Sequence, residues 1–72
     1  MASDIILVEL GERIRQLRLD RGWRQIDLAA QAKIEENYIS DLELGKREPC
    51  LFKLKALATA FGMPLHEFLK GI

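Results

Sequence analysis

The 72-residue sequence has one cysteine, two prolines and no surplus of either charge, 11 Lys+Arg standing against 11 Asp+Glu. The lone Cys50 excludes an internal disulfide framework and fits a reducing, cytoplasmic setting. No apolar run approaches the ~18 residues needed to cross a bilayer, and no basic stretch precedes a cleavable apolar core. A membrane role is not expected. The zero net charge argues against a generic polyanion binder, which would be visibly basic. Metal-ligand spacings and Gly-rich phosphate loops are missing as well, and Cys50 and His66 are the only nucleophile and imidazole worth pairing. An enzyme, a cofactor and a small-molecule substrate are therefore not expected.

What is present is 49% hydrophobic and 31% charged, too apolar and too evenly charged for a disordered chain. One domain over residues 1–72 is the expectation. A domain of this size buries only about 60% of the surface its unfolded chain exposes, so stability is modest and self-association is favoured.

No segment alternates with period two for long enough to make a strand; the apolar residues instead recur with helical spacing. Ile6, Leu10, Ile14 and Leu17 form one stripe of a first helix that starts near Ser3 or Asp4 and stops at Gly22. A second helix, Gln25 to about Ala32, carries Ile26, Leu28, Ala29 and Ala32 on its apolar face, and a third, Glu36 to Leu44, turns Ile39 and Leu42 inward before Gly45. After the Gly45–Pro49 loop, a fourth helix from Leu51 to Phe61 places Leu51, Leu54, Leu57, Ala58 and Phe61 at helical spacing and ends at Gly62. A short fifth runs from Pro64 to Lys70, with Leu65, Phe68 and Leu69 apolar. Trp23, Phe52, Phe61 and Phe68 are read as core. The fold class is all-α, a compact five-helix bundle.

Two helices of about eight residues joined by a turn of three or four must cross steeply, and such a crossing needs a small residue where they touch, here Ala29. With Leu10-Gly11-Glu12-Arg13-Ile14-Arg15-Gln16-Leu17-Arg18, Gly22-Trp23-Arg24-Gln25 and Tyr38-Ile39-Ser40-Asp41-Leu42-Glu43-Leu44-Gly45-Lys46-Arg47-Glu48-Pro49, the chain resembles the Cro and phage-repressor type of helix-turn-helix protein, the XRE family, over about residues 10–70. It is also similar to the controller proteins of restriction–modification systems. The resemblance implies a lambda-repressor-like domain, its helix-turn-helix core at about residues 25–44, that docks on double-stranded DNA as a homodimeric transcriptional regulator with helix three in the major groove. An activator of this kind would also contact RNA polymerase.

Glu36, Asn37, Ser40 and Asp41 face away from Ile39 and Leu42 and are the base-contact candidates: Asn pairs bidentately with adenine, Glu and Asp accept from cytosine N4, and Ser suits either. The phosphate-contact candidates are Gln25 at the start of helix two, where unpaired N–H groups and the helix dipole favour an anion, with Arg24 before it, Tyr38, and Lys46 and Arg47 after helix three. Lys53 and Lys55 are weaker candidates, and Tyr38 reads equally as a half-buried rim residue. The resemblance pairs Arg18 with Glu43 as a partly buried structural ion pair. Leu65, Phe68, Leu69 and Ile72, with Ile5 to Val8, either form the dimer surface or close the core.

Two positions depart from the family pattern. Lys33 stands where the turn usually has Gly, and residues 35–43 contain Glu35, Glu36, Asp41 and Glu43 without a basic residue. Neutrality is thus a sum of opposed blocks, an arginine-rich stretch at 13–24 and Lys46, Arg47, Lys53 and Lys55 on either side of an acidic third helix. The competing reading is a protein-interaction module, an antitoxin or anti-repressor, that sets this acidic helix against a basic protein surface.

Overall fold

The computed structural model describes residues 2–72, with side chains from Ile5 onward. Five helices follow in order, α1 (Ala2–Asp20), α2 (Gln25–Ala32), α3 (Glu36–Glu43), α4 (Leu51–Ala60) and α5 (Leu65–Phe68). No strand occurs among the described residues. The cap expected from the Ser3 or Asp4 side chain lies outside them.

One device ends four of these helices. Gly22, Lys33, Gly45 and Gly62 all take positive φ. The next residue's N–H then donates back five positions: Trp23 to the Arg18 carbonyl (3.1 Å), Ile34 to Ala29 (3.0 Å), Lys46 to Asp41 (2.9 Å) and Met63 to Ala58 (3.0 Å). This Schellman closure satisfies carbonyls that a helix end would otherwise leave without a donor. Three sites use glycine; the turn between α2 and α3 forces Lys33 to φ 58, ψ 45. A side chain there costs about 1–2 kcal/mol, and Lys33 is exposed, so little packing offsets it. Lys33→Gly is expected to stabilise the domain by about 1 kcal/mol, some of the relief being cancelled by the freer unfolded chain. At this size that raises Tm by roughly 5 °C. A melt unchanged or lowered by the substitution would mean that the turn carries no such strain.

The core takes Leu10, Ile14 and Leu17 from α1, Leu28, Ala29 and Ala32 from α2, Ile34 from the turn, and Ile39 and Leu42 from α3. Leu57, Ala58, Phe61 and Phe68 close it from α4 and α5. Trp23 stacks on Phe61 at 5.9 Å between ring centroids, and Phe61 lies 5.9 Å from Phe68. Phe68 is fully buried, so it closes the core and is not available to a second copy.

Several apolar residues expected inward lie outside. Phe52 is 85% exposed and Leu51 65%. At 100° per residue Phe52 sits about 200° round the helix from Leu54, away from the arc through Leu57, Ala58 and Phe61 that faces the core. Ile26 is exposed because α2 buries the Leu28, Ala29 and Ala32 side instead. Ile6 is half exposed and, with Leu7, Leu10, Pro49, Leu54, Leu69 and Ile72, lines an open apolar groove of about 390 Å³. The far end of the apolar stripe on α1 therefore faces this groove rather than the closed core.

Candidate nucleic-acid interface

Burial of Ile39 and Leu42 fixes the rotation of α3. Glu36 and Asn37 are then exposed on its first turn, and Ser40 and Asp41 are half-buried one turn later. The helix leans on α1 and α2, its two main neighbours.

Behind the outward face lies a polar anchor. Arg18 Nε donates to Glu43 Oε2 at 2.7 Å and Nη2 to Glu43 Oε1 at 2.9 Å, the two-pronged geometry that a planar guanidinium offers a carboxylate. Arg18 Nη1 donates to the Trp23 carbonyl at 2.8 Å, and the Gln25 amide donates to Glu43 Oε1 at 3.1 Å. The two charged side chains keep only 10% and 4% of their surface exposed. Hydrogen bonding to the Glu43 carboxylate holds the Arg18 guanidinium above its ordinary pKa despite burial. One carboxylate late in α3 thus ties together α1, the α1–α2 turn and the start of α2. Gln25, expected as a phosphate ligand, has its amide oriented by this network, while it remains half-buried at the N-terminus of α2.

Arg24 precedes it, exposed, and pairs with Asp27 at 3.1 Å. The Arg24 N–H also donates to Asp27 Oδ2 at 2.8 Å, the returning half of a capping box. The Arg24 side chain and this backbone bond hold the Asp27 carboxyl below its usual range. Arg24 is therefore engaged within the chain, and its guanidinium meets a phosphate only in competition with Asp27.

Lys46 and Arg47 are exposed in the loop after α3. The Arg47 guanidinium lies 4.4 Å from the centroid of the half-buried Tyr38 ring, and the Lys53 ammonium 5.4 Å from the same ring. Lys55 is exposed further along α4.

The arginine-rich stretch of α1 behaves otherwise than its charge suggests. Arg13 donates to the Phe68 and Glu67 carbonyls at 2.9 and 2.8 Å. Arg21 donates to the Leu17 and Phe61 carbonyls at 3.0 and 2.6 Å, its guanidinium 4.9 Å from the Phe61 ring centroid. With Arg18 these side chains lock α1 to α3, α4 and α5 by gripping helix C-terminal carbonyls, where the dipole is negative, or a buried carboxylate. Sequence reasoning missed Arg13 and Arg21 as structural residues. Beside α3, Arg47 and Lys53 share a recess with Asn37, Tyr38 and Asp41, and Lys33 lines a shallow depression with Glu35 and Glu36.

No helix among the described residues is long and apolar enough to cross a membrane. Leu65 and Leu69 are half-buried and Ile72 is 37% exposed, so of the C-terminal apolar residues these three reach the surface.

Known proteins resemble this chain in sequence and in fold. The HTH-type transcriptional regulator DdrOP3 of Deinococcus deserti is 43% identical over 65 residues, covering 90% of this chain and 50% of that protein. The chain thus spans about half the length of that relative. The control protein C.MunI of a Mycoplasma species is 29% identical over 68 residues, 93% of this chain and 92% of it. The crystal structure of the restriction-modification controller protein C.AhdI from Aeromonas hydrophila superposes with a TM-score of 0.82 at 34% identity, over 86% of this chain and 94% of that one. A family profile described as helix-turn-helix matches residues 14–68, from the middle of α1 to the end of α5, and the chain belongs to that family.

Proposed function

We propose that the protein is a sequence-specific regulator of transcription that binds double-stranded DNA as a homodimer, with α3 in the major groove. It is not an enzyme. The observation that carries this reading is the polar face of α3: Glu36, Asn37, Ser40 and Asp41 point outward from a helix whose other side is fixed by Ile39, Leu42 and the Arg18–Glu43 pair. Base edges in the major groove present the donors and acceptors that such short polar side chains read. The N-terminus of α2 and the cations of residues 46–55 border this face where the DNA backbone would pass. The regulators and controller proteins to which the chain is similar support the same assignment.

A two-fold operator with half-sites one helical turn apart requires two copies of α3 about 34 Å apart. The apolar groove lined by Ile6, Leu7, Leu69 and Ile72 is the surface a second copy would cover. Because α3 carries carboxylates, unspecific attraction to DNA is weak and base contacts decide which site is held.

Selection of bound sites from a random duplex library, followed by affinity measurements over a range of salt, tests this. Enrichment of an inverted repeat and a negative slope of log K against log salt are expected. No enrichment and no retardation at micromolar protein would overturn it and favour the acidic α3 docking on a basic protein surface.

A further inference from the structure

We propose that Tyr38 is a positioning residue that gathers Arg47 and Lys53 into a two-cation clamp for the DNA backbone alongside α3. The inference rests on the DNA-binding reading above. The three residues come from three places, Tyr38 from α3, Arg47 from the loop and Lys53 from the first turn of α4. Both charges lie against the one ring, 4.4 Å and 5.4 Å from its centroid. Tyr38 is half-buried and packs against the core, so the ring is a fixed platform, whereas Arg47 is exposed and would otherwise be free to wander.

The recess of about 160 Å³ at this point is also lined by Ile34, Glu35, Asn37 and Asp41. Glu35 and Asp41 are the negative groups nearby, yet among the described residues neither cation forms an ion pair with a carboxylate. That difference matters chemically. A carboxylate partner would occupy the guanidinium and ammonium donors and compete with a phosphate. The face of an aromatic ring attracts a cation through its quadrupole without an acceptor oxygen, so the N–H donors turned away from the ring stay open. A side chain ordered before DNA arrives also loses less freedom on binding than a solvated one. The clamp lies in the same recess as Asn37, so a phosphate held there fixes the depth at which this amide meets a base edge. It also sets two positive charges beside Asp41 and Glu35, where the acidic helix would otherwise repel the backbone.

The test measures the affinity of the full chain for a random-sequence duplex across salt, since binding to phosphates does not depend on sequence. Taking away one cation that neutralises a phosphate should reduce the steepness of log K against log salt by about 0.9 per protomer. Lys53→Gln and Arg47→Gln are each expected to do so. Tyr38→Leu, which keeps an apolar side chain at the core edge, is expected to weaken binding about tenfold and to make a further Lys53→Gln change nearly silent, the non-additivity of residues acting as a unit. Tyr38→Phe is expected to bind within about twofold of the original, because the ring and not the hydroxyl holds the cations. In the free protein the Lys53 ε-methylene resonance should be shifted upfield by the ring and return to its ordinary position in Tyr38→Leu, a readout independent of DNA and of small losses in stability. Tyr38→Phe binding as weakly as Tyr38→Leu, or a Lys53→Gln slope equal to the original, would overturn the clamp. A parent chain that binds no duplex at any salt would instead overturn the DNA-binding reading itself.

Discussion

Gly11→Ala is expected to cost the domain about 3 kcal/mol or more, over half of its stability. Glycine in the middle of a 19-residue helix is a poor choice on propensity alone, about 1 kcal/mol worse than alanine. Here it is needed for space. A Cβ built on Gly11 would lie 2.4 Å from the Leu42 carbonyl oxygen and 2.8 Å from that of Glu43. Those atoms are backbone at the end of α3, so no rotamer change relieves the clash; α1 and α3 would have to separate. Overpacking a fitted interface costs about 1–3 kcal/mol, occasionally more, and the upper end applies where the opposing atoms cannot give. A domain of this length has of the order of 5 kcal/mol to lose. Urea denaturation should show the midpoint falling by more than half, while Glu12→Ala, on the exposed neighbouring position, stays within about 0.5 kcal/mol. A Gly11→Ala midpoint equal to or above the original would mean that helix propensity, not the crossing, governs this position.

The contrast between Gly11 and its surroundings marks what the sequence reveals and what it hides. Helical spacing, glycine stops and the lack of period-two segments are local properties, and they place five all-α elements close to their observed bounds. The strain at Lys33 is legible for the same reason, since a closure that uses glycine at Gly22, Gly45 and Gly62 names the residue type it wants. Arg13 and Arg21 were not legible, because their acceptors are backbone carbonyls 40–55 positions away and a carbonyl has no residue type. Grouping them in one arginine-rich block beside α3 treated their charge as if it were free. Phe52 failed differently. It reads as core because it is aromatic, although the helical spacing that picks out Leu54, Leu57, Ala58 and Phe61 leaves it on the other side of the helix. Within the candidate interface, residue types pointed to the polar face of α3, but the meeting of Arg47 and Lys53 at Tyr38 required the loop path in three dimensions.

Glu43→Ala should be at least as damaging as Gly11→Ala, for an electrostatic reason. The carboxylate accepts two hydrogen bonds from Arg18 and one from Gln25, with its side chain 4% exposed. Removing it leaves the Arg18 guanidinium with Nε and Nη2 facing a void and only the Trp23 carbonyl on Nη1. Breaking a buried pair from one side costs about 3–5 kcal/mol, because the remaining charge has been taken out of water and given nothing in exchange. At roughly 5 °C per kcal/mol, Tm should fall by about 15 °C or more. Replacing both partners separates this cost from the value of the pair itself. In Arg18→Met/Glu43→Leu no charge is left stranded, and most of the loss should be recovered, short of the original by about 1–2 kcal/mol for the Trp23 carbonyl and Gln25 amide that lose their partners. A complete double-mutant cycle therefore predicts strong coupling, with the double variant more stable than Glu43→Ala alone. If Glu43→Ala melts with the original protein, the anchor contributes nothing to holding α3. If the double variant is as unstable as the single one, the pair acts through geometry that apolar residues cannot replace, and the orientation of α3 depends on the ion pair itself.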